Sequence, residues 1–259
     1  MATEPTDTVV VAGPRAIEAL LRHAPKRVRK LLHAGPPSPT RDRVLQLARD
    51  AGRPIEAAQP ALLEKHAGEL RHQGLVALAA PAPLVDWEGL LGVQDALLVA
   101  FDQVTDPHNL GAILRSAEAL GGTGALVTRD RCARPGPTVS RTSAGASEIL
   151  PVALETNLAR ALAAADEAGL QIVGADLDGV APWEVDWTRP TVLVIGAEGT
   201  GLRRLTREAC HAIATIPLVG RTESLNASAA AAALLYEAAR QRTIPKVKKN
   251  ACRVSGRRL

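Results

Sequence analysis

From residue 96 to residue 242 short apolar runs alternate with helical stretches, and this alternation constrains the fold more than any other feature of the chain. The apolar runs fall at 96–101, 124–128, 151–154, 170–175, 191–195 and 212–218; the helical stretches fall at 109–120, 156–168, 202–209 and 226–242. Strands separated by helices of roughly 10–15 residues do not close as hairpins. They predict a mostly parallel sheet with helices on both faces. In open parallel sheets ligands sit at the carboxyl ends of the strands. Three polar loops that follow three of these runs are therefore candidates for a single site.

A smaller α/β unit precedes this one. Strand candidates at 9–12, 28–34, 54–57 and 75–79 alternate with helices at 14–23, 41–51 and 60–66. Pro14 suits the first position of the first helix, and Gly52 suits the stop of the second. Residues 81–95 carry Pro81 and Pro83 and lack periodicity, so they read as a linker. The expected organisation is a small α/β domain over 1–80, a linker over 81–95, an α/β domain over 96–242 and a basic tail over 243–259. No apolar run approaches the ~18 residues of a membrane span, and no basic-then-apolar leader is present. A soluble cytoplasmic protein is expected. Cys132, Cys210 and Cys252 are far apart and show no disulfide or zinc-ligand spacing, and the six histidines form no metal pattern. No metal is expected.

Charge is uneven: net +4 over residues 1–80, −6 over 81–242 and +6 over 243–259. Basic segments attract nucleic acid by releasing counterions from phosphates. The cluster Lys26, Arg27, Arg29, Lys30, Arg41, Arg43 and Arg49 concentrates such charge on the first domain. Aromatic residues make up 2% of the chain, which argues against a reader that stacks bases on exposed rings.

The first loop runs from Asp102 through Asn109 to Arg115. Asn109 reads as a helix N-cap, and Gly111 permits a close backbone approach. Arg115 falls among Leu110, Ile113, Leu114 and Ala117, where a guanidinium needs an anion. The second loop is Gly196-Ala-Glu198-Gly199-Thr-Gly201. It matches neither phosphate-loop pattern, and Glu198 would repel a pyrophosphate; a neutral or cationic ligand such as a sulfonium fits better. The third loop runs from Ile216 through Ser224 and Asn226 into an alanine-rich helix. Alone, Ser224 reads as a turn residue and Asn226 as a cap.

Together, Asp106-Pro-His-Asn-Leu-Gly-Ala-Ile-Leu-Arg115, Val194-Ile-Gly-Ala-Glu-Gly-Thr-Gly-Leu202 and Ile216-Pro-Leu with Ser224-Leu-Asn-Ala-Ser228 resemble the SpoU (TrmH-like) branch of the SPOUT RNA 2′-O-ribose methyltransferases. Ser140-Arg-Thr-Ser-Ala-Gly-Ala146 is similar to a further family segment. Gly13-Pro-Arg-Ala-Ile-Glu-Ala-Leu-Leu21 and His72-Gln-Gly74 resemble the ribosomal-protein-like (L30e-like) substrate-binding domain found before the catalytic domain in many members. The resemblance implies a deep trefoil knot, a homodimer and S-adenosylmethionine as cofactor. By the same resemblance Gly196, Ile216 and Leu225 contact the cofactor, while Asn109, Arg115, Glu198, Ser224 and Asn226 occupy catalytic positions. A guanidinium stays protonated in proteins, so Arg115 is expected to bind RNA phosphate and orient the hydroxyl. Glu198 is expected to position Arg115 or Asn109. The basic tail lies outside the family pattern.

The expected activity is methyl transfer to a ribose 2′-hydroxyl of large-subunit rRNA, a guanosine by the nearest family resemblance. Competing readings are the same chemistry on tRNA or on an antibiotic-resistance rRNA site, and a non-catalytic RNA-binding assembly factor. Retention of all five catalytic-position residues weighs against the last.

Overall fold

A strand covered on both faces reads as a continuous apolar run rather than an alternating one, and the strands of this chain fall into two sets around such runs at 75–79, 97–101 and 191–195. A computed structural model describes residues 8–243; the first seven residues and the basic tail from residue 244 lie outside the described residues. The first set forms β1 (Val9–Ala12), β2 (Val28–His33), β3 (Ile55–Ala57) and β4 (Leu75–Ala79), joined through α1 (Pro14–His23), α2 (Pro39–Asp50) and α3 (Pro60–Ala67). The sheet order is β1-β4-β2-β3, with β4 antiparallel to both neighbours and β3 parallel to β2. All three helices begin on proline, where the missing N–H has no helical partner to lose.

The second set contains β5 (Leu84–Val85), α4 (Trp87–Leu91), β6 (Leu97–Asp102), α5 (Pro107–Ala119), β7 (Gly124–Thr128), α6 (Pro137–Thr142) and β8 (Val152–Glu155). It continues as α7 (Leu158–Glu167), β9 (Gln171–Val180), β10 (Thr191–Gly196), α8 (Arg204–Glu208), β11 (Ala212–Ala214) and α9 (Ala227–Thr243). The strands form one seven-stranded sheet, β11-β9-β10-β6-β7-β8-β5, in which every pairing is parallel. Period-two alternation splits the core. Leu97, Val99 and Phe101 of β6 pack with Leu193 and Ile195 against α5 and α9. Leu98 and Ala100 pack with Val192 and Val194 against α4 and α7 on the other face.

Two expectations are corrected. The stretch 81–95 is more than a linker: β5 extends the large sheet, and the buried Trp87 donates its indole N–H to the Ala161 carbonyl at 2.8 Å. A two-residue strand and a one-turn helix are too short to show periodicity. The strand expected over 212–218 ends at Ala214. The register shifts between Ile213 and Ala214, and Pro217 has no N–H to offer a ladder. Thr215 still donates its N–H to the Val180 carbonyl of β9 at 2.8 Å, and residues 216–226 then leave the sheet and are free to line a site.

The two units touch. Arg27 donates to the Ala80 carbonyl at 3.1 Å and pairs with the Glu148 carboxylate at 2.7 Å. At Gly145 an added Cβ would lie 2.6 Å from the Ala19 methyl, so glycine lets the segment after α6 close on α1. Among the described residues no helix is long and apolar enough to cross a membrane.

Candidate active site

The carboxyl ends of β9, β10 and β11 and the segment 216–227 surround a cavity of about 540 Å³. Such a volume lies within the usual range of small-ligand pockets, about 300–1,000 Å³. The loop after β10 sets its shape. Ala197 and Gly201 exchange backbone hydrogen bonds at 3.2 and 3.0 Å, so the chain doubles back at once. The turn needs φ values of +81° at Gly199 and +64° at Gly201, a region that favours glycine. Gly196 is required for a different reason: an added Cβ would collide with the Gly201 carbonyl and lie 2.7 Å from the Leu202 nitrogen.

Asp102, at the end of β6, pins the far side of this loop. It is fully buried, accepts from the Arg203 N–H at 2.9 Å and pairs with the Arg203 guanidinium at 2.5 Å. Asp176, in β9 just past the end of its pairing with β10 at Ala175, is held by Arg207 at 2.7 Å and lines the cavity.

Gly196, Ile216 and Leu225, the three expected cofactor contacts, all line this cavity, together with Glu198, Ser224 and Asn226. Asn226 is the node. Its Nδ2 donates to Asn109 Oδ1 at 3.0 Å and to Glu198 Oε1 at 2.5 Å. Its Oδ1 accepts from the Ser228 N–H at 2.8 Å and from the Ser228 hydroxyl at 2.6 Å. The cap reading of Asn226 therefore holds. Residues 109, 198 and 226, remote in sequence, meet at one point.

Three further expectations change. Asn109 is not the cap of α5. Asp106 takes that role, accepting from the His108 N–H at 2.9 Å, and Asn109 lies buried in the first turn with its side chain free to meet Asn226. Glu198 reaches Asn226 rather than Arg115, and is linked to Asn109 only through it. Arg115 is exposed rather than set among the buried Leu110, Ile113, Leu114 and Ala117, and it does not line the cavity. It lies one turn beyond Gly111, on the flank where Gly111 closes on Thr142 of α6.

The basic cluster of the first domain is largely engaged. Arg27 holds Glu148, Arg43 holds Glu18, Lys30 holds Glu56, and the nearly buried Arg41 donates to the Ala34 and Gly35 carbonyls. Sequence reading assigned no role to Asp102, Asp176 or Glu223, the last also at the cavity wall. The rule that ligands gather past strand ends marks the first two; nothing marked Glu223 beyond its place next to Ser224.

The cavity combines apolar walls (Ile216, Leu218, Leu225, Leu234) with the carboxylates Asp176, Glu198 and Glu223. Carboxylates on the rim suit a ligand with a positive centre and disfavour a polyphosphate. A bare-backbone cradle at Gly196, apolar walls and an acidic rim fit S-adenosylmethionine, which carries a sulfonium, an ammonium and a flat base.

Two family models match the chain: the SpoU rRNA methylase family over residues 96–236, and RNA 2′-O ribose methyltransferase substrate binding over residues 10–85. The 23S rRNA (guanosine-2′-O-)-methyltransferase RlmB of Pseudomonas aeruginosa is 43% identical over 90% of this chain and 96% of its own length. The crystal structure of the SpoU methyltransferase AviRb from Streptomyces viridochromogenes, in complex with AdoMet, superposes with a TM-score of 0.76 at 33% identity, covering 91% of both chains. An AdoMet-bound rRNA methyltransferase from Sinorhizobium meliloti superposes with a TM-score of 0.74 at 26% identity, covering 91% of this chain and 88% of that one. With matches to both domains and a full-length relative above 40% identity, the chain belongs to the SpoU rRNA methylase family.

Proposed function

We propose that this protein transfers a methyl group from S-adenosylmethionine to the ribose 2′-hydroxyl of a guanosine in 23S rRNA. The observation that carries the reading is the Glu198–Asn226–Asn109 cluster at the lip of the acid-rimmed cavity. Full-length similarity to an enzyme named for that reaction supports the substrate.

When bound, S-adenosylmethionine supplies a methyl group activated by its sulfonium. Gly196 would hold it through bare backbone, and Ile216 and Leu225 would wall it. Methyl transfer would leave the neutral thioether S-adenosylhomocysteine and pass the hydroxyl proton to solvent water, so the protein's task is placement and electrostatics. Glu198 fixes the Asn226 amide, which fixes Asn109; the three present ordered polar atoms to the ribose. Ser224, exposed beside them, holds the substrate edge. Arg115 binds the RNA backbone.

The reading includes a homodimer, supported by the exposed Val219 and Leu225 on the segment that covers the cavity. It includes a deep trefoil knot. The support is that α9 leaves the edge strand β11, yet packs on α5 near the sheet centre after passing the 196–201 loop. An L30e-like first domain agrees with its mixed four-stranded sheet and its substrate-binding model match. The cytoplasm follows from the rRNA substrate.

The deciding experiment incubates the protein with labelled S-adenosylmethionine and total RNA from a strain lacking it. Label at one 2′-O-methylguanosine of 23S rRNA supports the reading. Label in tRNA overturns the substrate, and RNA binding without label overturns the chemistry.

A further inference from the structure

The catalytic domain has to receive a polyanion, yet residues 81–242 carry net charge −6. Of its thirteen arginines five are engaged: Arg203 on Asp102, Arg204 on Glu208, Arg207 on Asp176, Arg240 on Glu237, and Arg242 on backbone carbonyls. The loop after β7 is different. Arg129, Arg131 and Arg134 are all exposed, and none lies in an ion pair among the described residues. The loop's one carboxylate is Asp130; Glu148 lines the same small cavity as Arg134, and Asp102 acts on Cys132, but Glu148 pairs with Arg27 and Asp102 with Arg203, and Asp130 pairs with none of these guanidiniums.

The position of the loop matters as much as its charge. β7 is the neighbour of β6 on the side away from β10, β9 and β11. The loop therefore lies at the same end of the sheet as the cavity, across the Asn109 loop from it. It is tied to that loop by the Ala133 N–H, which donates to the Val104 carbonyl at 2.8 Å. Its other end reaches the substrate domain: Arg134 and Pro135 line a second cavity of about 240 Å³ together with Val9 and Val11 of β1. Arg141 on α6, half-exposed and also without a carboxylate partner, continues the row. Arg134 donates to the Arg129 carbonyl at 2.7 Å, which holds the loop in shape, while the Arg129 and Arg131 side chains make no hydrogen bond among the described residues.

We propose that Arg129, Arg131 and Arg134, continued by Arg141, form a phosphate-binding ledge that carries the RNA backbone from the substrate domain to Asn109. The proposal rests on the RNA-methylation reading above. It gives the RNA a contact surface that the engaged cations of the first domain do not provide. Guanidiniums without carboxylate partners contact phosphate without first breaking an ion pair.

The test is a triple variant, Arg129→Gln, Arg131→Gln and Arg134→Gln, with Arg160→Gln, an exposed arginine on α7, as control. RNA binding is measured from about 50 to 200 mM salt. Removing three guanidiniums that each neutralise one single-strand phosphate lowers the slope of log K against log salt by about 2, so wild type loses roughly 15–20-fold more affinity than the variant over that range. At fixed salt the KM for RNA rises at least about tenfold while S-adenosylmethionine affinity and kcat at saturating RNA hold. A slope and KM equal to wild type overturn the ledge. If the triple variant does not fold, Arg129→Gln with Arg131→Gln keeps the test, with two thirds of the slope change. If wild type binds RNA but transfers no methyl, the methylation reading fails while the salt slope still decides the ledge.

Discussion

Replacing Gly196 by alanine tests the cofactor cradle at its tightest point. The added Cβ would lie 2.7 Å from the Leu202 nitrogen and closer still to the Gly201 carbonyl, whereas ordinary contacts begin at 3.4 Å. These are backbone atoms, so no side chain can rotate away. The returning strand must retreat by roughly 0.7–1 Å, which breaks or stretches the two hydrogen bonds between Ala197 and Gly201. Two such bonds at about 1 kcal/mol each, with an overpacking cost of about 1–3 kcal/mol, give a loss of roughly 3–5 kcal/mol. A displacement of about 1 Å at a positioned site also costs on the order of 100-fold. Gly196→Ala should therefore lose about 100-fold in S-adenosylmethionine affinity by calorimetry and melt roughly 8–15 °C lower. Gly199→Ala is the comparison. Its Cβ would meet nothing within 4 Å, and only its φ of +81° resists the change, a cost of about 1–2 kcal/mol. Wild-type affinity in Gly196→Ala would refute the cradle, and equal effects at the two positions would refute the crowding argument.

Asn226→Asp places a carboxylate 2.5 Å from that of Glu198. Like charges at that distance cannot both ionise, so methyl transfer should fall about 100-fold at neutral pH and recover in part when Glu198→Gln is added; no recovery in the double variant counts against the network. Arg242 donates to the carbonyls of Asp95, Ala96, Trp187 and Arg189. Its alanine variant leaves those acceptors without it and should lose about 2–4 kcal/mol in urea unfolding, and lysine, lacking the planar fork, should not restore it; an unchanged midpoint sinks the idea. Burial pushes Cys132 up to about 11 and Cys210 up to about 12. The native state then holds more thiol protons than the unfolded chain above about pH 9, so stability is full below that and falls as pH rises, by about 2 kcal/mol per thiol near pH 10.5. Urea unfolding at pH 8 and pH 10, in wild type and in Cys132→Ala with Cys210→Ala, checks this; equal pH dependence in the two proteins refutes it.

The parallel sheet was legible because its strands are covered on both faces and so read as unbroken apolar runs. The cavity wall was legible because Gly196, Ile216 and Leu225 sit in or beside strand-end loops. What periodicity could not show was which partner a polar side chain would choose. Asn109 looks like a cap in isolation, but Asp106 stands three residues earlier and caps better, which releases Asn109 for Asn226. Arg115 lies within an apolar sequence pattern, yet the helical turn puts it on the exposed flank. Arg27 looks like an RNA contact by charge alone; only the fold brings Glu148 to it. The linker assignment failed because β5 and α4 are shorter than any period that would reveal them.

The last helix explains why these pieces form one site. At its start, Asn226 joins loops from α5 and β10. At its end, Arg242 binds carbonyls at the opposite, amino-terminal ends of β6 and β10. Between them Ala231, Leu234, Leu235 and Ala238 pack on Leu110, Ile113, Leu114 and Ala117 of α5. Small side chains in its first turns let α9 lie close against α5, and that closeness brings Asn226 within hydrogen-bond reach of Asn109. The alanine run is thus a positioning device as well as a helix former: it sets the gap between two helices whose first turns carry the polar lip. Glu198 and Asn226 line the cavity and Asn109 joins them through Asn226, so the site is built from contacts remote in sequence rather than from any local element.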